Sequence, residues 1–313
     1  MKTSNNIKSS TFLFTTALIW GVAFVFQSMG NNYMQPFTFN AARNFLGFLV
    51  LIPLIILKLK NPNLLGSKTD IHIKDIPVKF TIIGGICCGF ALTVAGMFQQ
   101  YGVKYTTVGK AGFITTLYII LTPIFGLFIK RKCAFTVWIG AAVAVIGMYM
   151  LCITEGFSVS LGDLLVFFCA IFFSVHILLI DYFAPKTDGV VLSCIQFLVS
   201  AVVSGIIALI IEQPHFSQLI DGAIPILYTG IMSSGVAYTL QILGQRNFNP
   251  TIAALIMSLE SVISAVASYF AYAMGFLTQD QSLTSIQIIG CVIMFGAVIF
   301  VQIPFHKLKP RKH

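Results

Sequence analysis

Charge is what this chain has least of. Asp, Glu, Lys and Arg make up 9% of its 313 residues, where a soluble domain carries about a quarter. A chain this poor in charge cannot clothe itself in a hydrated surface, so a soluble globular fold is excluded. Acidic residues are the scarcest, at 10. The 7 cysteines form no CxxC pair, which argues against a zinc ribbon or a disulfide framework and leaves them as small apolar packing residues. Walker, HExxH, GxSxG and GxGD sequences are also missing. An ATP motor and the intramembrane metallo-, serine and aspartyl proteases therefore lack their usual signatures. No loop resembles a selectivity filter, which argues against a channel.

What fills the chain instead is apolar. Hydrophobic residues reach 57% and gather into ten runs near 11–29, 37–57, 77–101, 108–129, 134–153, 161–180, 190–211, 223–243, 250–273 and 285–304. A helix needs about 20 apolar residues to cross a bilayer, so each run reads as a membrane span. The longest polar stretch, Lys58 to Lys79, reads as a loop. The first run is too long for a signal peptide, lacks a clear cleavage site and is followed by nine more.

The net charge of +9 would suit a nucleic acid, but its placement does not. With a cytoplasmic N-terminus, sixteen of the 19 Lys and Arg residues fall on inner segments. Lys104 and Lys110 fall outside, and Arg43 lies within a span. Such a split is a strong positive-inside signal, and it puts both termini in the cytoplasm. The basic tail, 305–313, suits anionic lipid headgroups, and no nucleic-acid partner is expected.

The ten runs contain one pattern twice. At an offset of 142, Gly102-Val-Lys104 falls on Gly244-Gln-Arg246, Gln99 on Gln241 and Leu117 on Leu259. At an offset of 153, Trp20 falls on Phe173 and Phe45 on Leu198. Five is odd, so the second copy must be inverted in the membrane. The expected fold is all-α and integral to the membrane, with ten transmembrane helices as two inverted five-helix repeats. Inverted repeats are a common way for carriers to build a site that opens to alternate sides.

Several short motifs carry a more specific likeness. They are Leu18-Ile-Trp20-Gly21 in the first span, Ala41-Ala-Arg43-Asn in the second, and Gln100-Tyr-Gly102 followed by Ala111-Gly-Phe113-Ile114. Thr122-Pro123, Ser258-Leu259-Glu260 and Ile289-Gly290 complete the series. In this order the chain resembles the drug/metabolite transporter superfamily, in the family with two EamA domains. The resemblance implies EamA-type repeats over 9–153 and 161–304. It also implies a cavity lined by spans one to four and six to nine, with spans five and ten at the periphery. An Arg at position 43 is common in such proteins across many substrates. The chain departs from the pattern at Lys130-Arg131-Lys132 and Thr278-Gln279-Asp280, where an acidic residue often follows, and at Ser261, where proline often stands. The departures weaken any close substrate assignment by analogy.

Ionisable groups inside spans are costly and tend to be functional. Here they are Arg43, His176, Glu260 and, near an outer end, Lys110. At about 1.5 Å per residue, Glu260 lies near the midplane, at a depth shared by Trp20 and Tyr118. Glu260 either holds helices together or binds a cationic group or a proton, and function is favoured. Arg43 snorkels, pairs with Glu260 or grips a substrate carboxylate; a structural or gating role is favoured. Lys110 is either a snorkelling lysine or a charge at the outer mouth of the cavity. His176 reads first as a packing residue bonded to a backbone carbonyl. Gln99, Gln196 and Gln241 either bridge helices or meet substrate. The candidate binding set is thus Trp20, Arg43, Lys110, Tyr118, His176, Glu260, Gln99 and Gln241, with Glu260 as the proton candidate. The repeats disagree at Tyr118 and Glu260, Lys110 and Ile252, Arg43 and Gln196, and Ala23 and His176, so these positions are expected to give the lining its character.

The expected function is secondary transport of a small organic molecule, as an amino-acid, metabolite or drug exporter working by alternating access. The alternative is a membrane enzyme or structural protein that reuses the fold. No enzyme activity, cofactor or metal is expected. The partners are a small-molecule substrate, the lipid bilayer and, as a candidate, protons, in a monomer or homodimer at the plasma membrane.

Overall fold

The computed structural model describes residues 2–60, 78–130, 135–152, 160–246, 248–277 and 284–302. Lys68, Lys74, Arg131, Lys132, Glu155, Thr278 to Asp280 and the basic tail lie outside the described residues. The described chain is all helix and connection. Without water, backbone N–H and C=O groups must pair within their own segment, so apolar runs of this length become helices.

Ten spans result. Span one is Lys2–Gly30, span two Pro36–Lys60 and span three Val78–Tyr105. Span four has two pieces, Val108–Thr115 and Tyr118–Phe128. Span five is Phe135–Cys152, span six Leu161–Phe183 and span seven Gly189–Ile211. Span eight runs through Ala223–Leu227, Tyr228–Tyr238 and Thr239–Gln245. Span nine again has two pieces, Pro250–Met257 and Glu260–Ala273, and span ten is Ser285–Gln302. Spans five and ten are shorter, at 18 residues each, and they pack against each other. The other eight are long and apolar enough to cross a membrane.

The molecule has the burial pattern of a protein dissolved in lipid. Leu209, Ile210, Phe128 and Phe135 point outward. Ser200, Ser204, Gln196, Gln100 and Thr229 are buried at 0% exposure. The buried hydroxyls largely return their hydrogen bonds to the helix one turn back, as Thr93 does to Gly89 O, Ser174 to Ala170 O and Thr229 to Pro225 O.

The doubling is visible in local geometry. Span four starts on Thr107, whose side chain accepts from Lys110 N. Span nine starts 142 residues later on Asn249, whose side chain accepts from Thr251 N. Both helices break at the same place: after Thr115 and Met257, resuming at Tyr118 and Glu260. At each break a hydroxyl turns back on the carbonyl three residues earlier, Thr116 onto Phe113 O and Ser258 onto Leu255 O. This local bond tightens the turn and bends the helix.

Packing between spans repeats as well. Span three lies on span six as span eight lies on span one, and span two meets span seven, its own repeat mate. A methyl group on Gly102 would stand 3.0 Å from Gly162 O and against Val166. One on Gly244 would stand 3.2 Å from Ser9 O and 2.9 Å from Leu13 Cγ. Ser9 and Leu13 are Gly162 and Val166 less 153. The same close approach, through mated residues, fixes both halves. The fold is therefore ten transmembrane helices in two inverted five-helix repeats.

Candidate functional site

The two repeats meet around a narrow polar cavity near the middle of the spans. Its walls come from Trp20, Phe24 and Gln27 of span one, Arg43 of span two, Gln99 of span three, and Thr115 and Tyr118 of span four. Span six adds Phe173 and Ile177, span eight Ser233, Tyr238 and Gln241, and span nine Glu260. Span seven, expected in the wall, contributes no lining residue. The space that admits the centre of a water molecule is about 20 Å³, room for one or two waters. This form of the protein is closed around its site.

Tyr118 and Glu260 are mates in the repeat, and they touch. The Tyr118 hydroxyl donates to Glu260 Oε1 at 3.0 Å, with both side chains buried. Each sits on the first residue after its helix break. Glu260 and Arg43 are the carboxylate and the cation of the wall. They do not form the ion pair that the sequence allowed: among the described residues no carboxylate comes within 4.0 Å of the Arg43 guanidinium. Nor does Arg43 snorkel, being only 5% exposed.

Span eight explains why the two sides of the cavity differ. Gly89 and Gly230 are structural equivalents: Gly89 sits against Val199 and Gln196 O, and Gly230 against Leu46 and Arg43 O. Those partners differ by 153, but the glycines differ by 141. Further along, Gln99 and Gln241 differ by 142. The second copy therefore has one extra residue between Gly230 and Gln241, and the chain absorbs it as a π-helix over Tyr228–Tyr238. π-helical turns are rare and concentrate at functional sites. Here the stretch delivers Ser233 and Tyr238 to the cavity. The Tyr238 ring packs against Trp20 with centroids 4.6 Å apart, and against Phe197 and His176 at 5.6 and 5.9 Å. At the offset of 142 that holds for Gln99 and Gln241 it falls on Gly96, which has no side chain.

Six of the eight residues singled out in the sequence share this cavity: Trp20, Arg43, Gln99, Tyr118, Gln241 and Glu260. Gln99 Nε2 donates to Thr115 Oγ1 at 3.4 Å, while Gln241 Oε1 and Trp20 Nε1 are buried without a protein partner. Lys110 pairs with Asp163 at 2.8 Å, joining spans four and six, and it does not line this cavity. His176 sits behind Tyr238 and bonds the Gln196 side chain at 3.1 Å, where a backbone carbonyl was expected. Gln27, Thr115 and Ser233 were not singled out. Neutral and common in spans, they carry no sequence signal beyond their depth.

Charges at the span ends hold other parts together. Lys58 forms a buried ion pair with Asp188, linking the C-terminal end of span two to the start of span seven. At their other ends, Glu212 accepts from the backbone N of Phe37 and Thr38 at 2.9 and 2.7 Å. A carboxylate there offsets the positive end of span two's helix dipole. A larger cavity of about 310 Å³ lies among spans two, three, six and seven, lined by Phe37, Phe90, Met97, Phe98 and Leu165 among others. Its walls are largely carbon, and its two hydroxyl residues, Thr93 and Tyr101, turn to Gly89 O and Glu212.

Comparison with known proteins agrees with this architecture. Residues 7–153 and 160–303 each match the EamA-like transporter family. An uncharacterized transporter of Archaeoglobus fulgidus is 29% identical over 293 residues, covering 92% of this chain and 83% of that protein. A protein of known crystal structure superposes with a TM-score of 0.70 at 18% identity, over 96% of this chain and 99% of its own, a likeness of fold. With both repeats matched, the chain belongs to the EamA-like transporter family and is a multi-pass membrane transporter of the drug/metabolite type.

Proposed function

We propose that this transporter is a secondary carrier that exports a small organic molecule, an amino acid or related metabolite or a drug, by alternating access. The observation that carries the reading is the closed polar cavity at mid-span, built from both repeats and joined across them by Tyr118 and Glu260. A cavity with room for one or two waters admits a metabolite only when the halves part. Inverted repeats supply two equivalent ways of parting, one toward each side. In this reading the repeats are 9–153 and 161–304, followed by the basic tail. Both termini are cytoplasmic at the plasma membrane, and the unit is a monomer or homodimer.

Glu260 is the group through which a proton would couple to transport. It is buried, lines the cavity and has a hydroxyl partner across the repeat interface. Flux of a metabolite panel through vesicles holding the full chain tests the carrier. Folded protein that moves nothing, under any gradient, would overturn it. Glu260→Gln tests the coupling: binding is expected to persist while pH-gradient-driven flux is lost. Unchanged gradient dependence in that variant would remove the proton from the mechanism.

A further inference from the structure

Arg43 is held as a binding group would be held. Arg43 is 5% exposed, lines the cavity and has no carboxylate within 4.0 Å among the described residues. Among those residues its Nε has no partner. A buried cation without a counter-charge is strongly disfavoured, so an anion that entered the cavity would be drawn to it. The Phe39 ring, with its centroid 5.8 Å from the guanidinium carbon, offers only a weak substitute.

The place where Arg43 rests is also built. Nη2 lies over Gly96, where an added methyl would stand 3.2 Å from it and 3.3 Å from Asn40 Oδ1. Asn40 is fixed by donating from Nδ2 to Gly96 O at 3.0 Å, and its Oδ1 has no protein partner. The seat exists in one repeat only. In the other, Tyr238 falls on Gly96 at the offset of 142 and Gln196 falls on Arg43 at that of 153.

We propose that Arg43, lying over Gly96, binds a carboxylate of the transported molecule. The proposal rests on the carrier reading and adds the substrate class, small organic acids. A guanidinium suits the task because its forked donors match a carboxylate in two bonds. Glu260 in the same wall would repel a bare anion. Probes that also bear a protonated amine are therefore expected to move best.

The test is exchange flux in vesicles holding the full chain. The probes are the protein amino acids, together with the decarboxylated amine and the deaminated acid of each one that moves. Carboxylate-bearing probes are expected to move, and the amines to be at least ~10-fold poorer. Arg43→Gln is expected to raise the half-saturating concentration by roughly 10- to 100-fold for carboxylates and to leave any residual amine flux unchanged. Gly96→Ala leaves the charge in place and disturbs only the seat. It is expected to weaken carboxylate binding about 3- to 10-fold, and to add nothing further in the Arg43→Gln background. Amines that move as well as the amino acids, or a carboxylate preference that survives Arg43→Gln, would overturn this proposal and leave the carrier standing. Absence of flux for every probe, from folded protein that moves another member of the metabolite panel, would overturn this proposal alone; absence of flux across the whole panel would overturn both.

Discussion

Removing one hydroxyl from the cavity tests how the repeats are joined. Tyr118→Phe keeps the ring and deletes the donor to Glu260 Oε1. The tyrosine is 2% and the glutamate 3% exposed, so water does not easily replace the lost partner. A hydrogen bond to a charged group contributes about 1.5–3 kcal/mol and a neutral one about 1 kcal/mol. Polar pairs between membrane helices average about 0.6 kcal/mol and reach about 1.7 kcal/mol. A coupling of about 1–2 kcal/mol is therefore expected between Tyr118→Phe and Glu260→Gln in a double-mutant cycle. The assay is reversible unfolding of the purified protein in mixed micelles, read by intrinsic tryptophan fluorescence, to which Trp20 in the cavity wall contributes. Because the bond is stronger to a carboxylate than to a neutral acid, the cost of Tyr118→Phe should grow as the pH rises through ionisation of Glu260. In a Glu260→Gln background it should be flat. Additive single-mutant effects, within about 0.3 kcal/mol, would refute the idea that this contact links the repeats.

Other consequences follow from the same geometry. Lys58→Ala leaves Asp188 buried without its cation, and the expected loss is about 3–5 kcal/mol; a loss below 1 kcal/mol in the same unfolding assay would show the pair to be dispensable. Gly102→Ala and Gly244→Ala overpack equivalent contacts, so each should cost about 1–3 kcal/mol, and a large cost at one with none at the other would contradict the repeat. Asp163→Asn weakens the contact with Lys110 at the outer end of spans four and six. Cysteines placed at Gln27 and Thr115 should then react faster with an impermeant thiol reagent added outside, and an unchanged rate would remove the ion pair from the closure. A cysteine at Asn32 should label from outside and one at Lys8 only after permeabilisation; the reverse pattern would invert the assigned topology.

Much of this was legible in the chain because lipid is a simple solvent. Apolar runs of about 20 residues have to be helices, and few ionisable groups can be placed within them without a function. Glu260 and Arg43 stood out for that reason and Tyr118 as the repeat mate of Glu260, and the three share a cavity. Lys110 stood out as well, but its partner Asp163, 53 residues away on another span, did not. Nothing in the pattern around Lys110 shows which face of span four meets span six. His176 was expected to bond to a carbonyl for want of a visible partner. Gln196, which it meets, is on the following helix, and the rotation of one helix about its axis is set by packing.

The sequence by itself determined the ten spans and their inverted doubling. Each follows from local hydrophobicity or chain order, neither of which depends on how helices are rotated. Only the tertiary structure decided that the mates Tyr118 and Glu260 bond to each other, that Arg43 meets no carboxylate among the described residues, and that one extra residue winds span eight into a π-helix carrying Tyr238. The physical reason is that these depend on the relative rotation and offset of helices distant in sequence. That register is fixed by close contacts such as Gly89 on Val199 and Gly230 on Leu46, and a single inserted residue is enough to change what the cavity holds.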